Sequence, residues 1–138
     1  MKKKIVMLGA LMASLAVPFA YAEEAPAPDA ATTAQKWVGI VDSGDFVQAY
    51  NKSAAFVKTA TDAEHWVGAV IAKRNTLGEV VKRSEGSASE VSAPEGAPAG
   101  TYTEVQFTTD FEKKSGVVEK VTMVQTEAGW QSAGYSVV

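Results

Sequence analysis

The amino-acid sequence predicts an α+β fold, with three helices in the first half of the domain and a curved antiparallel four-stranded sheet in the second. Three observations predict it. Apolar residues recur at helical spacing as far as Gly78 and not beyond it. After Gly78 the pattern turns to alternation and to β-branched runs. Those runs are joined by short turns, which favours an antiparallel meander, and helices followed by such a meander pack as two layers.

The elements follow in order. The first 22 residues have the form of a cleavable signal peptide: Lys2, Lys3 and Lys4, an apolar run from Ile5 to Ala16, then Pro18 and the small-x-small end Ala20-Tyr21-Ala22. The apolar run has 12 residues, short of the roughly 20 that a membrane span needs. Residues 23–32 are Ala/Pro-rich and acidic and read as a flexible leader. Residues 33–138 then form a single domain. A first helix starts near Thr32 or Thr33, with Ala34, Trp37, Val38 and Val41 on one face, and ends at Ser43-Gly44. Asp45 caps a second, whose stripe is Phe46, Ala49, Tyr50, Ala54 and Val57. Thr61 and Glu64 are spaced as a capping box for a third, carrying Trp66, Val67, Val70, Ile71, Arg74 and Leu77, which Gly78 terminates in a left-handed conformation.

Glu79–Ser84 and Glu90–Ser92 form one strand interrupted near Gly86-Ser87. Residues 94–100 are a Pro/Gly loop. Val105, Phe107, Thr109 and Phe111 alternate with polar residues, as in a half-buried strand. Lys113-Lys114-Ser115-Gly116 is a turn, Val117–Gln125 a further strand, and Trp130–Val138 the last, after a turn at Glu127-Ala128-Gly129. This order of elements is that of the cystatin-like and NTF2-like cones, in which a curved sheet wraps a helix.

Charge and composition exclude several classes. Without Cys there is no disulfide, thiolate metal site, Fe–S cluster, cysteine nucleophile or lipid-accepting Cys. Removal of residues 1–22 takes three Lys and no acid, so the remaining 116 residues carry 10 basic and 16 acidic groups, a net charge of −6. With no basic stripe, nucleic acid and anionic membrane are poor partners. The export signal without a later anchor points to a periplasmic or secreted product. One His cannot build a His-cluster metal site. On the third helix His65 lies about 100° from the Trp66/Val70 stripe and reads as a solvated or capping residue. Neither Gly96–Gly100 nor Gly86–Ser89 matches a phosphate-binding loop or a nucleophile elbow. No cofactor is expected. Asp110 and Glu112 read as solvated carboxylates beside a turn.

A few residues stand out. Arg74 lies on the apolar stripe of the third helix, and Glu119 shares the apolar phase of Val117, Val121 and Met123. They are expected to form a partly buried pair, with Asp42 as a second possible partner for Arg74. That arrangement either docks the third helix or lines an anion-binding cleft. Arg83, just past Gly78, is a further candidate for such a cleft and otherwise reads as an exposed strand charge. Most aromatics read as core, with a subset available to line the open end of a cone.

The run Trp37…Val41-Asp42-Ser43-Gly44-Asp45-Phe46, then Trp66 and Lys73-Arg74-Asn75-Thr76-Leu77-Gly78, resembles a bacterial family of secreted proteins known as domain of unknown function 4019. Lys82-Arg83, Pro94, Pro98, Gly100-Thr101-Tyr102, Val105-Gln106-Phe107, Phe111, Val118-Glu119, Gly129-Trp130 and Ala133-Gly134-Tyr135 continue the likeness across about residues 34–137. Tyr50 departs from it, since the resemblance leads one to expect a Trp there. The resemblance implies a small exported single-domain protein and carries over no catalytic residue.

Two functions compete, beside a third possibility of a purely accessory envelope-stress protein with no fixed ligand. The first is a non-enzymatic binding or interaction module whose partner is an envelope protein or a small ligand; it expects an exposed apolar patch or an unpaired sheet edge. The second is a small-molecule enzyme of NTF2-like type, with Glu119 or Asp42 as base in an apolar pocket and Tyr102 or Tyr135 as hydrogen-bond donor.

Overall fold

The computed structural model describes residues 29–138; the expected signal peptide and most of the leader lie outside the described residues. Four helices come first: α1 (Ala30–Asp42), α2 (Phe46–Asn51), α3 (Ala55–Ala60) and α4 (Ala63–Leu77). Five strands follow: β1 (Val80–Arg83), β2 (Ser87–Val91), β3 (Tyr102–Phe111), β4 (Lys114–Thr126) and β5 (Gly129–Val137). The architecture is thus α+β with an open antiparallel sheet, as expected, but with one more helix and one more strand than the sequence suggested.

Each helix boundary has a local cause. Asp29 caps α1 by accepting from the Thr32 backbone N–H at 2.8 Å, so the helix starts inside the segment expected to be leader. Asp45 caps α2 as expected, accepting from Gln48 N–H at 3.3 Å. The expected second helix is two. It breaks at Ser53-Ala54, where Ala54 N–H donates to the Ser132 carbonyl of β5 at 2.8 Å. That sheet bond and the parallel bridge between Ser53 and Ser132 replace helical hydrogen bonds there. The cap of α4 is Asp62, accepting from His65 N–H at 2.9 Å, rather than Thr61, which closes α3. His65 stays solvated, as expected, with its ring Nδ1 2.8 Å from the Asp62 carboxylate. Those two hydrogen bonds, the backbone one above all, hold the Asp62 carboxyl below its usual value.

Gly78 ends α4 with φ 82° and ψ −159°, a region open essentially to Gly alone. A Cβ there would also stand 2.9 Å from Glu112 Oε1 and 3.0 Å from Glu112 Cβ. Gly78→Ala should therefore cost about 1–3 kcal/mol, read as a lowered urea midpoint at unchanged slope.

The sheet order is β1–β3–β4–β5, and β2 also pairs with β3. The expected interrupted strand is two strands, β1 and β2, which occupy successive stretches of the same β3 edge: Arg83 opposite Thr109, then Ser87 opposite Gln106 through Val91 opposite Tyr102. Gly86 sits between them because a Cβ would come within 2.7 Å of Val105 Cγ1 and 2.9 Å of Phe107 Cε1. The β3–β4 turn is at Glu112-Lys113, one step before its expected place, and Lys114 already pairs with Phe111. The two turn-side carboxylates are engaged rather than merely solvated: Asp110 accepts from Gly116 N–H at 2.8 Å and Glu112 from Glu79 N–H at 3.0 Å.

One sheet face carries the core. Val105, Phe107 and Thr109 of β3 and Val117, Glu119, Val121 and Met123 of β4 are all at most 2% exposed. Trp37 and Val38 of α1, Ala49 of α2 and Val70 of α4 pack in one cluster with Val105, Phe107, Val121 and Met123, while Val117 packs with Leu77 and Phe111. Trp37 ties α1 to α2 by donating its indole N–H to the Ala49 carbonyl at 2.9 Å, and its ring meets Trp66 edge-on at 6.0 Å. Tyr50 serves as such a tie as well, donating its hydroxyl to the Thr61 carbonyl at 2.5 Å.

Candidate functional site

The polar residues singled out in the sequence meet where the last turns of α1 and α4 reach the sheet, with one substitution of roles. Arg74 is 9% exposed beside Val70 and Leu77, as its place on the helical stripe requires. Its Nη2 donates to Asp42 Oδ1 at 2.9 Å, and its guanidinium lies 5.1 Å from the centre of the Phe111 ring. The expected Arg74–Glu119 pair does not form; Asp42, the alternative partner, takes Arg74. The residue that reaches Glu119 is Arg83.

Arg83 was expected as an exposed strand charge and is the hub. Its side chain is 12% exposed. Nε donates to Glu119 Oε1 at 2.8 Å, Nη1 to Asp42 Oδ2 at 2.5 Å and Nη2 to Asp42 Oδ1 at 3.1 Å. The reason is register. Arg83 stands opposite Thr109 on β3, so it shares the helix-facing side with Thr109, whose hydroxyl donates to Glu119 Oε1 at 2.6 Å. The guanidinium also lies 5.7 Å from the Phe107 ring centre. Burial opposes the Arg83 charge, but hydrogen bonds to Asp42 and the charges of Glu119 and Asp42 outweigh it, and its basicity rises.

Glu119 is fully buried. Its second oxygen accepts from the Tyr135 hydroxyl at 2.5 Å. Burial, then the neighbouring Glu119 charge, push the Tyr135 phenol far above its usual value, so it stays a donor. Two arginines and two carboxylates thus close a set of zero net charge. On the Arg74 side, Nε and Nη1 have no hydrogen-bond partner among the described residues.

Tyr102 does not belong to this set. It lies seven residues along β3 from Thr109, roughly 23 Å at strand rise, and alternation turns the two to opposite faces. Its hydroxyl donates to the Pro98 carbonyl at 2.7 Å, and its ring packs with Ala54 and Val124 in a separate apolar cluster.

The mouth over Asp42 and Arg74 is a cleft of about 280 Å³, walled by Asp42, Glu79 and Glu112 as well as Arg74 and Lys113. Three carboxylates against two cations make it a poor anion site. Larger openings lie elsewhere. One of about 590 Å³ is floored by Trp37, Met123 and Ser132 and flanked by Trp130. A second, of about 570 Å³, runs by Phe56, Tyr102 and Val124, and shares Ala128 and Gln131 with the first. The sequence offers aromatics such as Tyr102 as pocket residues but not the place where they gather, since the walls come from α1, the α2–α3 junction and the β4–β5 turn as well as β3. Among the described residues no three His, Asp or Glu side chains gather as a metal site, and no helix is long and apolar enough to cross a membrane.

A family model described as a protein of unknown function, DUF4019, matches residues 33–135. The chain belongs to the DUF4019 family. The DUF4019 match takes in every member of the polar set, from Asp42 to Tyr135, and both lysine-bearing and aromatic walls of the larger clefts. No curated protein and no solved structure matches this DUF4019 chain.

Proposed function

We propose that this chain is an exported, non-enzymatic binding module whose sheet curves around α1 as in the cone-like folds, and that it acts in the periplasm or outside the cell. The observation that carries the reading is the closure of the polar set. Glu119, the carboxylate best placed to serve as a base, is fully buried, and both of its oxygens accept hydrogen bonds, from Arg83, Thr109 and Tyr135. A general base needs a vacant lone pair within reach of a substrate proton. Glu119 has no opening beside it, so the set reads as a clamp that docks α1 and α4 on the sheet. Two adjoining clefts, about Trp130 and about Phe56, offer room for a ligand, and clefts of their size are the usual scale for small ligands. The N-terminal pattern of Lys2–Lys4, the apolar run and Ala20-Tyr21-Ala22 supports export.

The test joins both parts. The full chain, expressed in a bacterium with an envelope, is recovered by cell fractionation, sequenced at its N-terminus and sprayed under native conditions with whatever it retains. The expected product starts at Glu23, comes from the envelope or medium and carries or takes up a small molecule without converting it. A cytosolic chain that keeps Met1–Ala22 would sink the export reading, and turnover of a bound compound would sink the non-enzymatic one.

A further inference from the structure

The charge pattern of the larger cleft runs against the acidic balance of the whole chain. Over residues 23–138 acids outnumber bases 16 to 10. Yet no Asp or Glu lines this cleft, and two lysines do: Lys36 from the middle of α1 and Lys52 at the end of α2. The two are exposed and, among the described residues, neither forms an ion pair. They come from different helices, so their meeting at one cleft is a product of the tertiary fold; the α1–α2 tie from Trp37 to the Ala49 carbonyl fixes it. Below them the wall is apolar. Met123 is fully buried, Trp37 is 4% exposed, and Trp130 and Ile40 are half-buried. The adjoining cleft past Ala128 and Gln131 extends the apolar surface to Phe56 and Val124.

From these features we infer that the Trp130 cleft takes a small amphiphilic anion, with its carboxylate or similar group between Lys36 and Lys52 and its apolar body against Trp130, Ile40 and the edge of Trp37. This rests on the binding-module reading and names its ligand class. The physical basis is a division of labour. The apolar wall supplies most of the attraction by burying hydrocarbon, and the two ammonium groups supply orientation and the preference for negative charge. A neutral molecule of the same shape gains the first contribution alone. A doubly charged, strongly hydrated anion gains only the second.

The probes are phenylbutanoate and its neutral counterpart phenylbutanol, titrated into the purified chain. Binding is followed by the indole N–H signals in a nitrogen–proton correlation spectrum. Three tryptophans give three signals, and of them Trp37 and Trp130 line the cleft while Trp66 does not. The expected result is a saturable shift of the Trp130 signal by phenylbutanoate, with affinity about tenfold above that of phenylbutanol at low salt, from two exposed charge pairs. The preference should shrink as salt is added. The double variant Lys36→Gln with Lys52→Gln should lose that tenfold preference and keep the parent's melting temperature, since both side chains are exposed. Trp130→Ala should weaken both probes together.

Equal affinity for the two probes, or an unchanged preference in the double lysine variant, overturns the anion assignment while leaving a binding module in place. Shifts confined to Trp66 overturn the location. If neither probe moves any indole signal, the ligand class fails here, and native mass spectrometry of the envelope-derived chain decides the wider reading by itself.

Discussion

Arg83→Met should lower the stability of the domain by about 3–5 kcal/mol, the usual consequence of removing one partner from a buried ionic set. Glu119 would remain fully buried with the hydroxyls of Thr109 and Tyr135 as donors but with no cation against it. Asp42 would keep Arg74 and lose two bonds. The contrast is Arg74→Leu, which should stay within about 1 kcal/mol of the parent. Arg74 gives one bond to Asp42, two of its nitrogens have no partner among the described residues, and its guanidinium lies over the apolar Phe111 ring. Asp42 would still hold both of its bonds from Arg83. Chemical denaturation of the two variants side by side measures the difference. Equal losses would mean that Arg83 is not the hub of the set.

The second large effect is at Tyr135. Tyr135→Phe should cost about 1–3 kcal/mol near neutral pH, because Glu119 loses the donor to one of its buried oxygens. The same substitution should change the alkaline limb of the stability curve. In the native state burial and the Glu119 charge raise the Tyr135 phenol above its ordinary value of 10.0. The folded chain therefore holds this proton when the unfolded chain has begun to release it. The contribution is present in full below the ordinary tyrosine range, and it declines as pH rises above that range towards the native value. The parent should lose stability more steeply above about pH 10 than Tyr135→Phe does, as denaturation midpoints along an alkaline series will report. Parallel alkaline limbs would show that the phenol ionises alike in both states.

Much of the fold is legible because local chemistry marks it. Asp45 and Gly78 are placed where backbone N–H groups and a positive φ demand them, and both bound helices as read from the sequence. The phase of Val117, Glu119, Val121 and Met123 set Glu119 on the buried side before any contact was visible, and it is there. What the sequence conceals is non-local. The break at Ser53-Ala54 has no Gly or Pro to announce it, and the apolar stripe from Phe46 to Val57 runs through it; a strand more than 70 residues away makes the break. Arg83 hides for a different reason. A strand of four residues, Val-Val-Lys-Arg, gives too few alternations to fix which face is buried. A signal did exist. Thr109 interrupts the otherwise apolar buried phase of Val105, Phe107 and Phe111, and a hydroxyl there asks for a polar neighbour. Asp42, Arg74, Glu119 and Tyr135 do assemble, while Tyr102 stands apart from them, seven residues along β3 from Thr109 and on the opposite face, where it lines one of the larger clefts.

The junction at Ser53-Ala54 also bears on how copies of this chain behave beside one another. β5 is the outermost strand on its side of the sheet, and an outer strand offers a row of free backbone groups on which another chain can grow. Ser53 and Ala54 are laid along that row at Ser132, where Ala54 N–H takes the carbonyl that an incoming strand would need. The ladder a newcomer could build is thereby cut in the middle of β5. Two residues that look like a flaw in a helix thus shorten the open edge of a cysteine-free domain, and leave any strand pairing with β5 only two short stretches on either side of Ser132.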